Sequence, residues 1–166
     1  MKTTKSTKKT KILIALDYDP TAQKVAEQGL SLAKAMGAEV TLLHVISDPV
    51  NLFSAGHVTV MGFAGCPDTE LGSIQVESEA AQKKAAMQYL AKSKQHLGDK
   101  TIQTAVKEGD FAETILATAK ELHIDIIVLG SHSKKWMESI IMGSVSEKVL
   151  QLSTIPLFII PTKKKD

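Results

Sequence analysis

Two small-residue turns in the last third of the sequence could hold an anion. An apolar run at 124–129 ends at Gly130, and Gly143-Ser144 opens a predicted helix that extends to Leu152. Backbone N–H groups at a helix start have no partner within the helix, and the helix dipole favours negative charge there. A strand, a Gly/Ser loop and a helix N-terminus together predict a site for a phosphate-bearing ligand.

A carboxylate at the end of the first predicted strand is a third candidate for the same site. The apolar run at 11–16 ends at Asp17, and Pro20 suits the start of the helix that follows. If the first and fourth strands are neighbours in a parallel sheet, Asp17 and Gly130 flank the crevice beyond their carboxyl ends. Parallel sheets of this kind bind ligands in that crevice.

The elements that must position these residues alternate along the chain. Strands are predicted at 11–16, 39–46, 101–107, 124–129 and 155–160, and helices at 22–36, 73–96, 111–122 and 143–152. The alternation predicts an α/β fold: a doubly wound five-stranded parallel sheet in the order 3-2-1-4-5, with helices on both faces.

Several local signals refine these elements. Gly37 is expected to cap the first helix, and Asp110 with Glu113 resembles a capping box. The third strand alternates like an edge strand, and Pro156 and Pro161 place the fifth strand at an edge or an interface. A weak stripe on the second helix comprises Ile74, Glu77, Ala81, Ala85, Tyr89 and Ser93, and Leu90 and Leu97 lie near it.

Composition indicates a globular protein. The chain has 166 residues, 43% of them hydrophobic and 23% charged, which suits one domain. We expect that domain at 11–162, with a flexible insertion or lid at 49–72 and basic tails at 1–10 and 163–166. Cys66 is the only cysteine, which excludes an internal disulfide and fits a reducing compartment.

Composition also bears on partners. No apolar run approaches the roughly 20 residues that span a bilayer, so we expect a cytoplasmic protein with no membrane partner. Aromatic residues make up only 4% of the chain, which argues against a nucleic-acid surface. We interpret His44, inside the second strand, as a hydrogen-bonded core histidine rather than a metal ligand, and expect no metal site.

The residues at these positions resemble those of the universal stress protein family. The similarity lies in the segments 11–17, 42–45, 128–132 and 143–146 and runs from about Lys11 to Pro161. Nucleotide-binding members of the family carry a glycine, two residues, a second glycine, nine residues and then Gly-Ser or Gly-Thr. Gly130 and Gly143-Ser144 match this pattern, whereas Ser133 stands in place of the middle glycine.

The resemblance implies a Rossmann-like fold similar to that of the adenine nucleotide alpha hydrolases. It also implies a site for ATP, or for AMP or ADP, with or without Mg²⁺. Asp17 and the backbone near Val45 would meet the adenosine, and small residues of the two turns would line the ribose and phosphates. The implied nucleotide-binding residues are Ala15, Asp17, Val45, Leu129, Gly130, Ser133, Gly143, Ser144, Val145 and Ser146.

Ser133 leaves two interpretations open. A serine that must adopt a positive φ costs on the order of 1–2 kcal/mol relative to glycine, but its hydroxyl could donate to a phosphate oxygen. Our hypothesis is that nucleotide binding survives. The alternatives are a dimeric interaction or scaffold protein that no longer binds nucleotide, and a simpler case in which Gly130 is only a turn and Gly143-Ser144 only a helix cap.

We expect a regulatory protein of the stress response rather than an enzyme. The sequence has no Walker-type or kinase motif, so we assign no catalytic residue and expect at most slow ATP hydrolysis. Family members are usually homodimers, often paired through the last strand. We therefore expect a homodimer paired through 155–160, acting on an unknown protein client.

Overall fold

The computed structural model describes residues 8–47, 79–131 and 142–162 of the chain. Several sequence-based expectations fall outside these ranges. They concern Ser133, Cys66, the segment predicted at 49–72, the tail at 163–166 and residues 1–7 of the N-terminal tail.

A parallel sheet forms the centre of the described structure. Its strands are β1 (Lys11–Ala15), β2 (Glu39–Ile46), β3 (Gln103–Glu108), β4 (Ile126–Gly130) and β5 (Leu157–Ile160). Within the described residues these form a five-stranded sheet in the order β3-β2-β1-β4-β5, and every neighbouring pair is parallel. The predicted fold class and strand order are confirmed.

Four helices in the described ranges cover this sheet. They are α1 (Ala22–Met36), α2 (Glu79–Leu97), α3 (Phe111–Glu121) and α4 (Ser144–Leu152). Residues of α1 and α2 pack with one face of the sheet, and residues of α3 and α4 pack with the other. Throughout these ranges, no helix combines the length and apolar character needed to cross a membrane.

The central strands are apolar on both faces because each face is covered by helices. On the first face Ile12 and Ile14 are fully buried against Val25 and Leu30 of α1 and Leu90 of α2. On the second face, the buried cluster comprises Leu13, Leu43, Ile127, Ile115, Ala119 and Val149, among others. This double coverage explains why β1 and β4 are continuous apolar runs in the sequence.

The predicted helix caps of α1 and α3 are confirmed. Gly37 ends α1 in the left-handed region at φ 62°, where its N–H donates to the last turn of the helix. Asp110 precedes α3, and its Oδ1 accepts a hydrogen bond of 3.0 Å from the backbone N–H of Glu113. Both helices therefore begin or end where the local sequence predicts.

The predicted apolar stripe of α2 is wrong at Ala81 and Ala85, but Tyr89 packs against the first-face core and Ser93 is partly buried. Ala81 and Ala85 are exposed, whereas Ala86 and Leu90 are fully buried and Tyr89 is partly buried. The helix is rich in Ala, Gln and Lys, so alanines carry little information about its orientation. The large side chain of Leu90, which packs in the first-face core, decides which side turns inward.

Both edge-strand predictions are confirmed, although each strand is shorter than predicted and begins two residues later, at Gln103 and at Leu157. β3 and β5 lie at the two ends of the sheet. β5 begins at Leu157 rather than at Ile155, because Ile155 is held in a turn. The backbone N–H of Ile155 donates to Ser153 Oγ at 3.0 Å, and that hydroxyl donates to the Ile155 carbonyl at 2.7 Å.

Gly29 allows α1 to approach the sheet closely. A Cβ at this position would lie 2.7 Å from Ile14 Cδ1 and 3.2 Å from Val128 Cγ1. Ile14 and Val128 are both fully buried, so either side chain could make room only by shifting within the packed core. The glycine therefore sets the distance between α1 and the two central strands.

We expect Gly29→Ala to lower the free energy of unfolding by about 1 kcal/mol. Overpacking destabilises a protein by roughly 1–3 kcal/mol, and the better helix propensity of alanine offsets about 1 kcal/mol of this loss. Urea unfolding measures the change, with the neighbouring exposed Gln28→Ala as control, which should change stability by less than about 0.5 kcal/mol. Stabilisation by Gly29→Ala would contradict the packing argument.

Candidate functional site

A cavity of about 630 Å³ opens at the carboxyl ends of β1 and β4, the switch point of the sheet. Its volume lies within the range of small-molecule sites. The lining residues come from both helix layers and from three strand ends. They are Ala15, Leu16, Asp17, Ala22, Val25, Leu43, Val45, Phe111, Ile115, Leu129, Gly130, Met142, Gly143, Ser144, Val145, Ser146 and Glu147.

The structure brings almost all the sequence-predicted site residues to this one cavity. Those in the lining are Ala15, Asp17, Val45, Leu129, Gly130, Gly143, Ser144, Val145 and Ser146. Ser133 lies outside the described residues, so its position relative to the cavity is not described.

The loop after β1 presents Asp17 to the cavity. The backbone N–H of Leu16 donates to the Leu43 carbonyl at 2.9 Å, which extends the pairing with β2 by one residue. Asp17 Oδ1 then accepts the N–H of Asp19 at 3.0 Å, and Asp19 Oδ1 accepts the N–H of Thr21 at 2.8 Å. These two side-chain turns bring the chain from β1 into α1.

The N-terminus of α4 faces the cavity with its backbone donors. Gly143 is the cap residue, with extended backbone at φ −61° and ψ 148°, and as a glycine it makes no side-chain hydrogen bond to the helix start. The first helical bond joins the Glu147 N–H to the Gly143 carbonyl at 2.9 Å. The N–H groups of Ser144, Val145 and Ser146 therefore have no partner within the helix.

Ser146 connects α4 to the end of β4. Its hydroxyl is buried and donates to the Gly130 carbonyl at 2.8 Å. That hydroxyl therefore has a structural role, and only the backbone N–H of Ser146 remains as a donor toward an anion. The bond holds the N-terminus of α4 against the end of β4, which also lines the cavity.

The rest of the lining consists mainly of apolar side chains, with two acidic residues among them. Val45, Phe111, Ile115 and Leu129 are among the apolar side chains, which suit a flat, uncharged ring. Asp17 and Glu147 are acidic, and no Lys, Arg or His occurs among the described lining residues. The arrangement can bind a ligand that has both an apolar ring and an anionic group.

Sequence reasoning missed the contribution of α3. Phe111 and Ile115 line the cavity, although the sequence analysis placed them only within a predicted helix at 111–122. Phe111 is 40% exposed at the first turn, directly after the Asp110 cap. A large apolar residue at a helix start beside the carboxyl end of the sheet is the signal that could have identified it.

His44 is a structural residue, as predicted. Its side chain is buried, and its Nδ1 lies 2.8 Å from the Leu16 carbonyl oxygen. A carbonyl only accepts, so Nδ1 carries the proton and donates. Among the described residues no group of three His, Cys, Asp or Glu side chains could hold a metal ion. Burial lowers the pKa of His44 below its ordinary value, outweighing the Leu16 bond and the charge of Asp17.

Comparison with known proteins agrees with this geometry. The family model described as the universal stress protein family matches residues 9–161. Universal stress protein YxiE of Bacillus subtilis is 32% identical over 152 residues, which cover 90% of this chain and 97% of that protein.

Two solved structures are similar in fold. Protein MJ0577 of Methanocaldococcus jannaschii superposes with a TM-score of 0.68 at 25% identity, covering 94% of this chain and 98% of its own. The universal stress protein from Archaeoglobus fulgidus in complex with dAMP has a TM-score of 0.57 at 17% identity, covering 90% and 96%.

We expect the stability of the protein to fall when His44 is titrated. Because its pKa is lowered in the folded state, the unfolded chain takes up the proton first as the pH falls. Neutral His44 makes its full contribution to the free energy of unfolding above the unfolded-state pKa of about 6.5. This contribution is lost as the pH falls from there toward the lower pKa of the folded state. Urea unfolding between about pH 7.5 and pH 5.5 measures the decrease.

The matched control is His44→Asn, whose amide can donate to the Leu16 carbonyl but does not titrate. The other titrating groups are the same in both proteins, so the difference between their unfolding free energies reports the titration of His44 alone. Parallel pH profiles for the two proteins would contradict the assignment.

Proposed function

The chain belongs to the universal stress protein family, and we propose that it binds an adenine nucleotide in the cavity at the ends of β1 and β4. In this proposal it is a homodimeric regulatory protein, and nucleotide occupancy is the signal that it passes to a protein client. The ligand is ATP, ADP or AMP.

The main support for this proposal is the N-terminus of α4. Three successive N–H groups without helical partners face the cavity, and the cap residue Gly143 adds no side chain to cover them. Backbone donors and the helix dipole stabilise a phosphate without any basic side chain. The bond from Ser146 to Gly130 holds these donors in place.

The apolar part of the cavity lining suits the adenosine part of a nucleotide. The apolar side chains of Val45, Phe111 and Ile115 offer surfaces against which a base can pack. Asp17 adds a carboxylate that can accept hydrogen bonds from ribose hydroxyls or from the adenine amino group. The dAMP bound by the structurally similar protein of Archaeoglobus fulgidus is an adenine nucleotide of this kind.

The charge of the cavity affects how many phosphates it accepts. Asp17 and Glu147 both repel polyphosphate, and no basic residue among the described lining residues offsets them. Their oxygens, together with phosphate oxygens, are suitable ligands for Mg²⁺, which commonly binds through one or two carboxylates. Bound Mg²⁺ would neutralise part of the charge of ATP. AMP carries fewer negative charges, so its binding depends less on Mg²⁺.

We expect Ser144→Pro to weaken AMP binding by about tenfold relative to Ser144→Ala, because one charge-assisted hydrogen bond is lost. Proline is tolerated at the first helical position, and the extended backbone of Gly143 suits a residue before proline. Both variants lose the hydroxyl, but only the proline also loses the N–H. Isothermal titration calorimetry with AMP and adenosine measures the change, and adenosine affinity should differ little between the variants.

Equal AMP affinities for the two variants would contradict phosphate binding at α4. If the wild type binds neither AMP nor ATP with Mg²⁺, the proposal itself is wrong. In that case Ser133→Gly tests the alternative, an interaction protein whose site has lost nucleotide binding. A large gain in ATP affinity in that variant would mean that Ser133 impairs the native site.

The homodimer is proposed from the edge of the sheet. β5 pairs with β4 on one side and is the last strand in the order of the described sheet. Its residues Leu157–Ile160 are all apolar, and Phe158 is 41% exposed. Pairing β5 with its two-fold copy would provide partners for its outer backbone groups and cover Phe158.

We expect Phe158→Lys to produce monomers at micromolar concentration, because a charge in the centre of the paired strands must be desolvated. Sedimentation velocity measures the molecular mass. The control Met87→Lys places the same charge on an equally apolar, 60% exposed residue of α2, and should leave the dimer intact. A monomeric wild type would remove the dimer from the proposal.

A further inference from the structure

The loop that carries Asp17 is held by residues that do not line the nucleotide cavity. Three rings pack together beside it: Tyr18 of the loop, His44 of β2 and Tyr89 of α2. The ring centroids of Tyr18 lie 4.3 Å from His44 and 5.0 Å from Tyr89, and His44 and Tyr89 are 5.6 Å apart. None of the three rings is in the lining of the larger cavity.

Two of these rings bond the backbone of the loop directly. The Tyr89 hydroxyl donates to the Asp17 carbonyl at 2.5 Å, and His44 Nδ1–H donates to the Leu16 carbonyl at 2.8 Å. The two carbonyls belong to successive residues, and both residues line the nucleotide cavity. The backbone that presents the Asp17 carboxylate is therefore held by α2 and β2.

Tyr89 is suited to this role over the whole physiological pH range. Burial, followed by the charge of Asp17, raises the pKa of Tyr89 to about 12, so its hydroxyl remains protonated and can donate. It also comes from α2, an element that contributes no residue to the cavity lining.

The loop has space beside it into which it could move. A second cavity of about 350 Å³ lies between α1 and α2, and Tyr18, Asp19 and Tyr89 are part of its lining. Leu16 is packed in the core, but the loop beyond it has a cavity on each side, so the hydrogen bonds to the Leu16 and Asp17 carbonyls add restraint where packing is incomplete.

We propose that Tyr89 is a positioning residue for the nucleotide site, which acts by fixing the backbone of Asp17 so that the carboxylate meets the adenosine part of the ligand. This inference rests on the proposed function. It extends the binding site to a helix that does not contact the ligand, and it predicts that changes in α2 alter nucleotide affinity.

The test is a double-mutant cycle in which isothermal titration calorimetry measures the AMP affinity of each variant. Tyr89→Phe keeps the ring and removes only the hydroxyl, and we expect it to weaken AMP binding by about fivefold. Asp17→Asn alone should also weaken binding. In the Asp17→Asn background, Tyr89→Phe should cause little further loss, because Tyr89 acts through Asp17.

A purely structural role for Tyr89 would give a different result. Tyr89→Phe would then weaken AMP binding by the same factor in the wild type and in the Asp17→Asn background. Such independent effects of the two substitutions would overturn the inference. Unchanged AMP affinity in Tyr89→Phe would overturn it as well. Met87→Ala, an exposed change on the same helix, is the control and should bind AMP like the wild type.

A second measurement separates this inference from the proposed function. The Asp19 N–H bonds Asp17 Oδ1, so its hydrogen exchange without ligand reports the position of Asp17. We expect faster exchange at Asp19 in Tyr89→Phe than in the wild type. If the wild type binds no AMP, the proposed function and the ligand role of Tyr89 both fail, and faster exchange would support only the loop restraint. Unchanged exchange would overturn the restraint itself.

Discussion

The pairing of β1 with β4 is the constraint on which the rest of the structure depends. Ile12, Leu13 and Ile14 lie beside Ile126, Ile127 and Val128, so two strands distant in the sequence end side by side. The helices that follow them, α1 and α4, pack on opposite faces of the sheet. A crevice must then open between the two strand ends, and the loop of Asp17 and the start of α4 form its walls.

The site depends more on backbone groups than on charged side chains. In the proposed function its anion donors are the first N–H groups of α4, which one buried bond from Ser146 to Gly130 holds in place. Its carboxylate is presented by a loop whose carbonyls accept bonds from His44 and Tyr89. Gly143 adds no side chain beside those N–H groups. Side-chain chemistry therefore enters mainly through Asp17 and the apolar walls.

Much of this arrangement could be predicted because the signals are local. Continuous apolar runs identified the strands of a sheet covered on both faces, and the Gly143 turn and Asp17 followed directly from their ends. The inward face of α2 could not be predicted, since alanines do not distinguish buried from exposed sides and Leu90 is selected by the packed core. Phe111 was also missed, although its place at a helix start is a local signal. The bond from Tyr89 to Asp17 was missed because it joins elements far apart in the sequence, and no local spacing records such a contact.

The central claim is that the free N–H groups of α4 bind the phosphate of an adenine nucleotide. The most direct measurement is an NMR titration of the ¹⁵N-labelled protein with AMP, followed at the backbone amides. Saturable shifts at Ser144, Val145 and Ser146, with smaller ones near Val45, are the result that this account predicts. Saturable shifts confined to other parts of the chain, or no saturable shifts at all, would contradict it.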